Sequence, residues 1–279
     1  MQCKSFAGTG VELPKIGQGT WDVPERGARS DDWRRALRRG IELGMTHIDT
    51  AEMYGSGTVE ELLGEALQGV ARESIFLTSK VLPGNASFDG TIRACERSLR
   101  RLRVDYLDCY LLHWPSSVPL EETMNALATL VREGKTRFVG VSNFDADDML
   151  EARALLGAIP MSCNQVLYHL HERGIEHRIV PAARESEIAI VAYTPFGRGR
   201  FAKTGDALER IARKHHASVR QITLAFLTRE PNVFTIPKAS QTAHVEENAG
   251  AGDIVLDADD IAEIDAAFPL GRERPLATL

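Results

Sequence analysis

From residue 46 onward the chain repeats one pattern: a short apolar, β-rich run, a polar turn, then a segment whose apolar residues recur every three or four positions. Runs of the first kind occupy 46–49, 74–80, 106–112, 136–141, 161–164, 188–192 and 233–236. Between them, Leu62, Leu63 and Ala66 share a face within 59–67, and Ile92, Cys95, Leu99 and Leu102 repeat within 91–102. Met124, Leu127, Ala128 and Val131 do the same after the third run. A period near 3.6 puts such residues on one stripe of a helix, which must be covered by another element. Strand-like runs alternating with such helices predict parallel βαβ units. Two further helix starts are marked by acids that complement the helix dipole: Asp145 before Ala146-Asp147-Asp148, and Asp257 before Ala258-Asp259-Asp260.

One more strand near 15–17 brings the count to eight, and no Ser/Gly/Pro-rich linker divides the chain. The predicted architecture is an α/β chain folded as one (β/α)₈ TIM barrel domain over residues 1–279. Residues 6–13, with Gly8-Thr9-Gly10 at their centre, predict an N-terminal β-hairpin that plugs the barrel floor. The competing doubly wound fold requires a GxGxxG turn opening a helix after its first strand. The chain has Gly17-Gln18-Gly19-Thr20-Trp21 there, followed by Asp22-Val23-Pro24.

Hydrophobic residues form 43% of the 279 and charged residues 26%, a balance that supports a large core under a solvated surface. A net charge of −6 gives no basic surface for nucleic acid or anionic membrane, so a small-molecule partner is expected. The opening MQCKSFAG lacks the apolar stretch of a secretory signal, and a cytoplasmic location is expected. Cys3, Cys95, Cys109 and Cys163 form no CxxC pair, which predicts reduced and mostly buried thiols. His169, His171 and the pair His215-His216, expected on a surface helix, have no carboxylates at ligand spacing, so no metal site is expected.

Barrel enzymes carry their reactive groups where strands end. Asp49 ends the run 46–49, Lys80 ends 74–80, His113 follows 106–112, and Tyr54 lies on the turn after Asp49. Each alone is more often structural than catalytic. Together they would gather an acid, a lysine, a histidine and a phenol at one mouth. A strand-end lysine beside a carboxylate and a histidine would also suit a Schiff-base aldolase.

The segments around these residues resemble the aldo-keto reductase family over nearly the whole chain. His47-Ile48-Asp49-Thr50-Ala51-Glu52-Met53-Tyr54-Gly55 is similar to the family's first signature, and the stretch from Val104-Asp105-Tyr106-Leu107-Asp108 to Leu112-His113-Trp114-Pro115 to its histidine-bearing segment. Gly140-Val141-Ser142-Asn143-Phe144, Asn164-Gln165 and Ile236-Pro237-Lys238-Ala239-Ser240 follow in the family's order. The resemblance implies NADPH-dependent reduction of an aldehyde or ketone, with Tyr54 as proton donor, Lys80 lowering the phenol pKa, Asp49 holding Lys80, and His113 orienting the carbonyl oxygen. It implies NADP held by Ser142, Asn143 and Gln165 at the carboxamide, Tyr193 against the nicotinamide, and Thr194, Pro195, Phe196 and Gly197 near the pyrophosphate. Thr20 and Trp21 would lie by the ribose and substrate mouth. Ile236, Pro237, Lys238 and Ser240 would line the 2′-phosphate end, with Glu247 and Asn248 at the adenine. His244 stands where many members carry an arginine against that phosphate, which predicts a weaker and pH-sensitive preference for NADPH over NADH.

Trp21, Met53, Trp114 and the loop after Phe196 are expected to line the substrate pocket. The short loop 197–206 and the short tail after Phe268 point to small substrates: α-oxoaldehydes, β-keto esters or sugar-derived aldehydes. A monomer is expected, as is common in the family. A non-catalytic redox sensor, like the channel-associated members, is disfavoured by the intact Tyr54 and His113.

Overall fold

The computed structural model describes residues 1–198 and 205–279. Two short antiparallel strands open the chain, β1 (Cys3–Ser5) and β2 (Glu12–Pro14), with Lys4 opposite Leu13. The hairpin is therefore wider than 6–13. Gly8 and Gly10 take φ of 51° and 70° in the connection, and Phe6 leaves the ladder for the core. The Phe6 ring is fully buried and meets Phe76 and Phe234 edge-on at 5.2 and 5.3 Å. That contact closes the barrel floor, as the hairpin was expected to do.

Eight parallel strands follow: β3 (Gln18–Gly19), β4 (His47–Asp49), β5 (Phe76–Val81), β6 (Leu107–Leu112), β7 (Thr136–Ser142), β8 (Met161–Leu167), β9 (Ala189–Tyr193) and β10 (Val233–Thr235). Each pairs with the next in chain order. The last returns to the first: Ile16 bridges Thr235 in parallel, and the Gly17 and Gly19 N–H groups donate to Thr235 O and Pro237 O at 2.8 and 3.2 Å. The sheet is a closed (β/α)₈ barrel. Its first strand lies later than 15–17 because residues 15–17 make this seam with β10, whereas Gln18 and Gly19 pair with Ile48 and Asp49 of β4. A Cβ on Gly19 would meet Ile236 O at 2.6 Å, so the seam needs glycine there.

Helices α1 (Ala28–Glu42), α2 (Thr58–Ala66), α3 (Phe88–Leu102), α4 (Leu120–Arg132), α5 (Ala146–Leu155) and α6 (Ile179–Glu185) alternate with the strands. α7 (Gly205–Lys214) and α8 (Val219–Leu227) lie between β9 and β10, with α9 (Thr242–Gly250) and α10 (Ala258–Ala267) after β10. The two acidic caps form as predicted. Asp145 accepts from the Asp148 N–H at 2.9 Å, and Asp257 makes a reciprocal capping box with Asp260. β5 starts later than expected because Arg72–Ser74 close into a 3₁₀ turn, while β8 runs on to Leu167 and takes Gln165 into the strand. His215 and His216 fall just past α7 rather than on it, and His215 Nε2 lies 2.7 Å from Asp260 Oδ2.

A buried carboxylate ties the middle of the sheet. Asp108 on β6 is 1% exposed, and it takes Arg72 at 2.6 Å, Arg137 at 2.7 Å and the Leu77 N–H at 2.9 Å. With both oxygens satisfied, the charge can persist inside. Cys95, Cys109 and Cys163 are buried, Cys3 is exposed, and all four are free thiols. Among the described residues no helix is long and apolar enough to cross a membrane, and no cluster of His, Cys, Asp and Glu could hold a metal ion.

Candidate active site

Asp49, Ser142 and Tyr193 each end a strand, Lys80 is next to last in β5, His113 directly follows β6, and Gln165 lies in the C-terminal half of β8. Parallel strands in a closed barrel bring all these ends to one face. There they surround a cavity of about 400 Å³ bordered by Asp49, Tyr54, His113, Ser142, Asn143 and Gln165. Tyr54 reaches it because a turn folds back over the end of β4: Gly55, Ser56 and Gly57 have φ of 54°, 54° and 99°. Glycine supplies two of these left-handed positions without a Cβ penalty.

Lys80 is fully buried and lies 2.6 Å from Asp49 Oδ1 and 2.7 Å from Thr50 O. Its ammonium is 5.2 Å from the Tyr54 ring centroid, close enough for the two groups to act on each other. The other Asp49 oxygen accepts from Gln165 Nε2 at 2.7 Å. Burial works to lower the Lys80 pKa, but Asp49 and Tyr54 together hold it above its usual value. Burial pushes the Asp49 carboxyl up, and the Lys80 ammonium and the Gln165 amide pull it back.

The Tyr54 phenol differs from the expectation. Burial raises its pKa more than the Lys80 charge lowers it, with Asp49 adding to the rise, so the net shift is upward. The sequence shows the charge beside the phenol but not the desolvation around it. The consequence is a hydroxyl that keeps its proton near neutrality. Lys80 does not border the cavity, and its ammonium is held by Asp49 and Thr50, which disfavours an amine attacking substrate.

The His113 imidazole meets the Tyr54 ring edge-on at 5.9 Å and stacks on Trp114 at 3.9 Å. Its Nδ1 is buried without a hydrogen-bond partner. Asn143, at φ 62°, donates from Nδ2 to His113 O at 3.0 Å and to Ser142 Oγ at 3.1 Å, and its Oδ1 accepts from Tyr193 OH at 2.8 Å. The Ser142 hydroxyl donates to Gln165 O at 2.9 Å. The Ser142, Asn143 and Tyr193 side chains thus form one connected polar wall, anchored on the main-chain oxygens of His113 and Gln165. Trp21, Met53 and Trp114 all border the cavity, and Trp21 is 43% exposed at its mouth.

Toward the other end, Thr20, Thr194, Pro195, Phe196, Ile236 and Lys238 also line the cavity. Gly197, Pro237, Ser240, His244, Glu247 and Asn248 do not. Of these, Asn248 is fully buried with neither amide atom paired, and Ser240 Oγ is buried without a partner. His244 is exposed on α9. Residues 199–204 of the loop expected over the substrate lie outside the described residues.

The sequence model of the Aldo/keto reductase family matches residues 15–268. The chain belongs to that family. Among its relatives, it is 44% identical over 274 residues to "Methylglyoxal reductase YeaE" of Escherichia coli (strain K12), covering 96% of each chain. It is 35% identical over 259 residues to "Glyoxal reductase" of Bacillus subtilis (strain 168), covering 92% of this chain and 90% of that one. Among solved structures, the aldo/keto reductase from Klebsiella pneumoniae in complex with NADP and acetate superposes with a TM-score of 0.92 at 40% identity, covering all of both chains.

In this aldo/keto reductase, five residues that border the cavity carry no motif signal: Gly19, Asp22, Arg198, Arg220 and Leu279. They reach it from the end of β3 and the turn after it, the loop after β9, helix α8 and the C-terminal residue, far apart in sequence, and a charged residue such as Arg220 has no mark along the chain to set it apart from a solvated one. Arg198 lies over the Trp21 ring at 4.5 Å, bridging that turn and that loop.

Burial, helped by Lys80, brings His113 down to about 2, and burial with Lys80 brings His47 down to about 3. Both therefore stay neutral in the folded protein while their unfolded counterparts titrate near 6.5. Below that pH the unfolded chain takes up protons that the native one refuses, so stability falls as pH falls. From pH 7 to pH 5 the loss should be about 2 kcal/mol per histidine, and His113→Gln should remove its share of the slope. Denaturant unfolding of both proteins at the two pH values measures this. An unchanged slope in the variant would mean His113 ionises in the native state.

Proposed function

We propose that the protein is an NADPH-dependent reductase of small aldehydes and ketones, with α-oxoaldehydes as its preferred class. The observation that carries this is a protonated phenol, a neutral imidazole and a buried Lys80–Asp49 pair converging on one end of a 400 Å³ cavity at the catalytic face of a barrel. The names of the Escherichia coli and Bacillus subtilis relatives support the substrate class, and NADP in the Klebsiella relative supports the cofactor.

The residues fit such a cofactor. Buried polar atoms without partners at Ser240 and Asn248, and the half-buried Lys238 cation, suit the phosphorylated adenosine end. Ser142, Asn143 and Gln165 offer donors and acceptors for a carboxamide, and Tyr193, fixed by Asn143, offers an aromatic face. When bound, the reduced nicotinamide supplies a hydride to the carbonyl carbon.

The protein's own task is the oxygen. Neutral His113 donates a hydrogen bond to it and aims the carbon at the donor. As the C=O π electrons move onto oxygen, Tyr54 gives up its hydroxyl proton, completing the alcohol. The tyrosinate left behind is countered by the Lys80 ammonium, whose own charge is balanced by Asp49. Solvent then returns the proton to Tyr54.

Steady-state kinetics with methylglyoxal, a simple aldehyde and a simple ketone, each with NADPH and NADH, tests the proposal. The highest kcat/KM is expected for methylglyoxal with NADPH. Absence of turnover with every pair would sink it.

A further inference from the structure

His244 is exposed and does not border the cavity, so charge tuning at the phosphorylated end of the cofactor falls to residues that do. Lys238 is one, and the barrel seam sets what surrounds it. The Gly19 N–H donates to Pro237 O at 3.2 Å, and a Cβ on Gly19 would lie 3.9 Å from the Lys238 N. The turn after β3 therefore starts against the main chain that carries Lys238. In that turn Asp22 takes a left-handed backbone at φ 56°, and it borders the same cavity as Lys238. Two carboxylates among the described residues border this cavity, Asp49 and Asp22. Lys80 holds Asp49 at 2.6 Å, whereas Asp22 is exposed near the mouth. Burial holds Lys238 below its usual pKa, Asp22 works to raise it, and Arg29 in the first turn of α1 works to lower it. Lys238 is thus a half-buried cation short of counter-charge, with the Asp22 carboxylate acting on it from the neighbouring turn.

We propose that Asp22 sets the affinity for the dinucleotide by competing with one of its phosphoryl groups for the Lys238 ammonium. In the empty site the carboxylate supplies part of the counter-charge that a half-buried cation needs, so it stabilises the state without ligand. A phosphoryl group that approaches Lys238 gains less than it would from an uncompensated cation, and it meets a like charge in the same cavity. Both effects act in one direction: they weaken binding and favour release. The backbone suits the role. Aspartate and asparagine accept a left-handed conformation that strains most other side chains, so a short carboxylate can be held at this turn.

The inference rests on the nucleotide reading given above, and titration separates the two. NADPH and NADH are titrated calorimetrically into wild type, Asp22→Asn, Lys238→Gln and the double variant, with 2′,5′-ADP as a probe lacking the nicotinamide. Asparagine keeps the shape of the side chain and tolerates the left-handed backbone, so the change is confined to charge. Asp22→Asn should lower the NADPH Kd by about three- to tenfold, the scale of a partly screened charge interaction, and the gain should shrink as salt rises. Added to Lys238→Gln, the same substitution should gain less, because the cation competed for is gone. A gain confined to NADPH and 2′,5′-ADP assigns the 2′-phosphate; an equal gain with NADH assigns the pyrophosphate. Both support the proposal. Asp22→Gly, which suits the same backbone, takes the place of the asparagine variant if that one does not fold. A smaller gain than about threefold, weaker binding, or an undiminished gain in the Lys238→Gln background would overturn the proposal. Wild type that binds none of the probes would overturn the nucleotide reading as well.

Discussion

Tyr54→Phe should lower turnover of an aldehyde by about 10²- to 10⁴-fold, the range a positioned general acid contributes. The change removes one oxygen from a half-buried ring and leaves the ring's edge contact with His113 in place. Dinucleotide binding should stay within about twofold, because Ser142, Asn143 and Gln165 take no hydrogen bond from Tyr54. The informative comparison is kcat against Kd. A fall in both would say that the phenol holds the cofactor, and near-normal kcat would remove it from the chemistry. Because burial keeps the phenol protonated, wild-type activity should also show no loss at pH 7 from an ionised Tyr54.

How much of this was legible beforehand depends on where a residue's role is written. Asp49, Lys80 and His113 could be found because each is a polar residue ending or just after an apolar run, and a barrel turns that one-dimensional mark into a common face. The hairpin plug, the two acidic caps and the barrel count came from equally local signals. Helix α1 escaped the periodicity search because its buried face is Ser30, Trp33, Ala36, Leu37 and Gly40, with few large apolar side chains in the stripe. The strand expected at 15–17 was displaced because a barrel seam forms between the two ends of the sheet, and no local pattern states where they meet. Arg220 and Arg198 belong to the same class: their neighbours, Phe196 and Trp21, lie 24 and 177 positions away along the chain. The upward shift of Tyr54 was hidden for a related reason. A nearby lysine can be inferred from motif order, whereas desolvation is set by everything packed around the ring.

Lys80→Met should destabilise the fold by about 3–5 kcal/mol, the cost of leaving one partner of a buried ion pair without the other. Asp49 would keep its bond from Gln165 but lose the ammonium at 2.6 Å, and at 1% exposure water cannot replace it. The carboxyl would then be driven further up toward its neutral form, so the damage should shrink as pH falls. Adding Asp49→Asn removes the orphaned charge and leaves an amide oxygen for Gln165, so the double variant should regain more than half of the lost stability in denaturant unfolding. Turnover should not return with it, since Tyr54 would still lack the cation that counters its tyrosinate. That split separates the two roles of one residue. If Lys80→Met unfolds within about 1 kcal/mol of wild type, the pair carries little structural weight. If the stable double variant reduces aldehydes at the wild-type rate, the proton leaves Tyr54 without help from a neighbouring charge, and the electrostatic part of the mechanism is wrong.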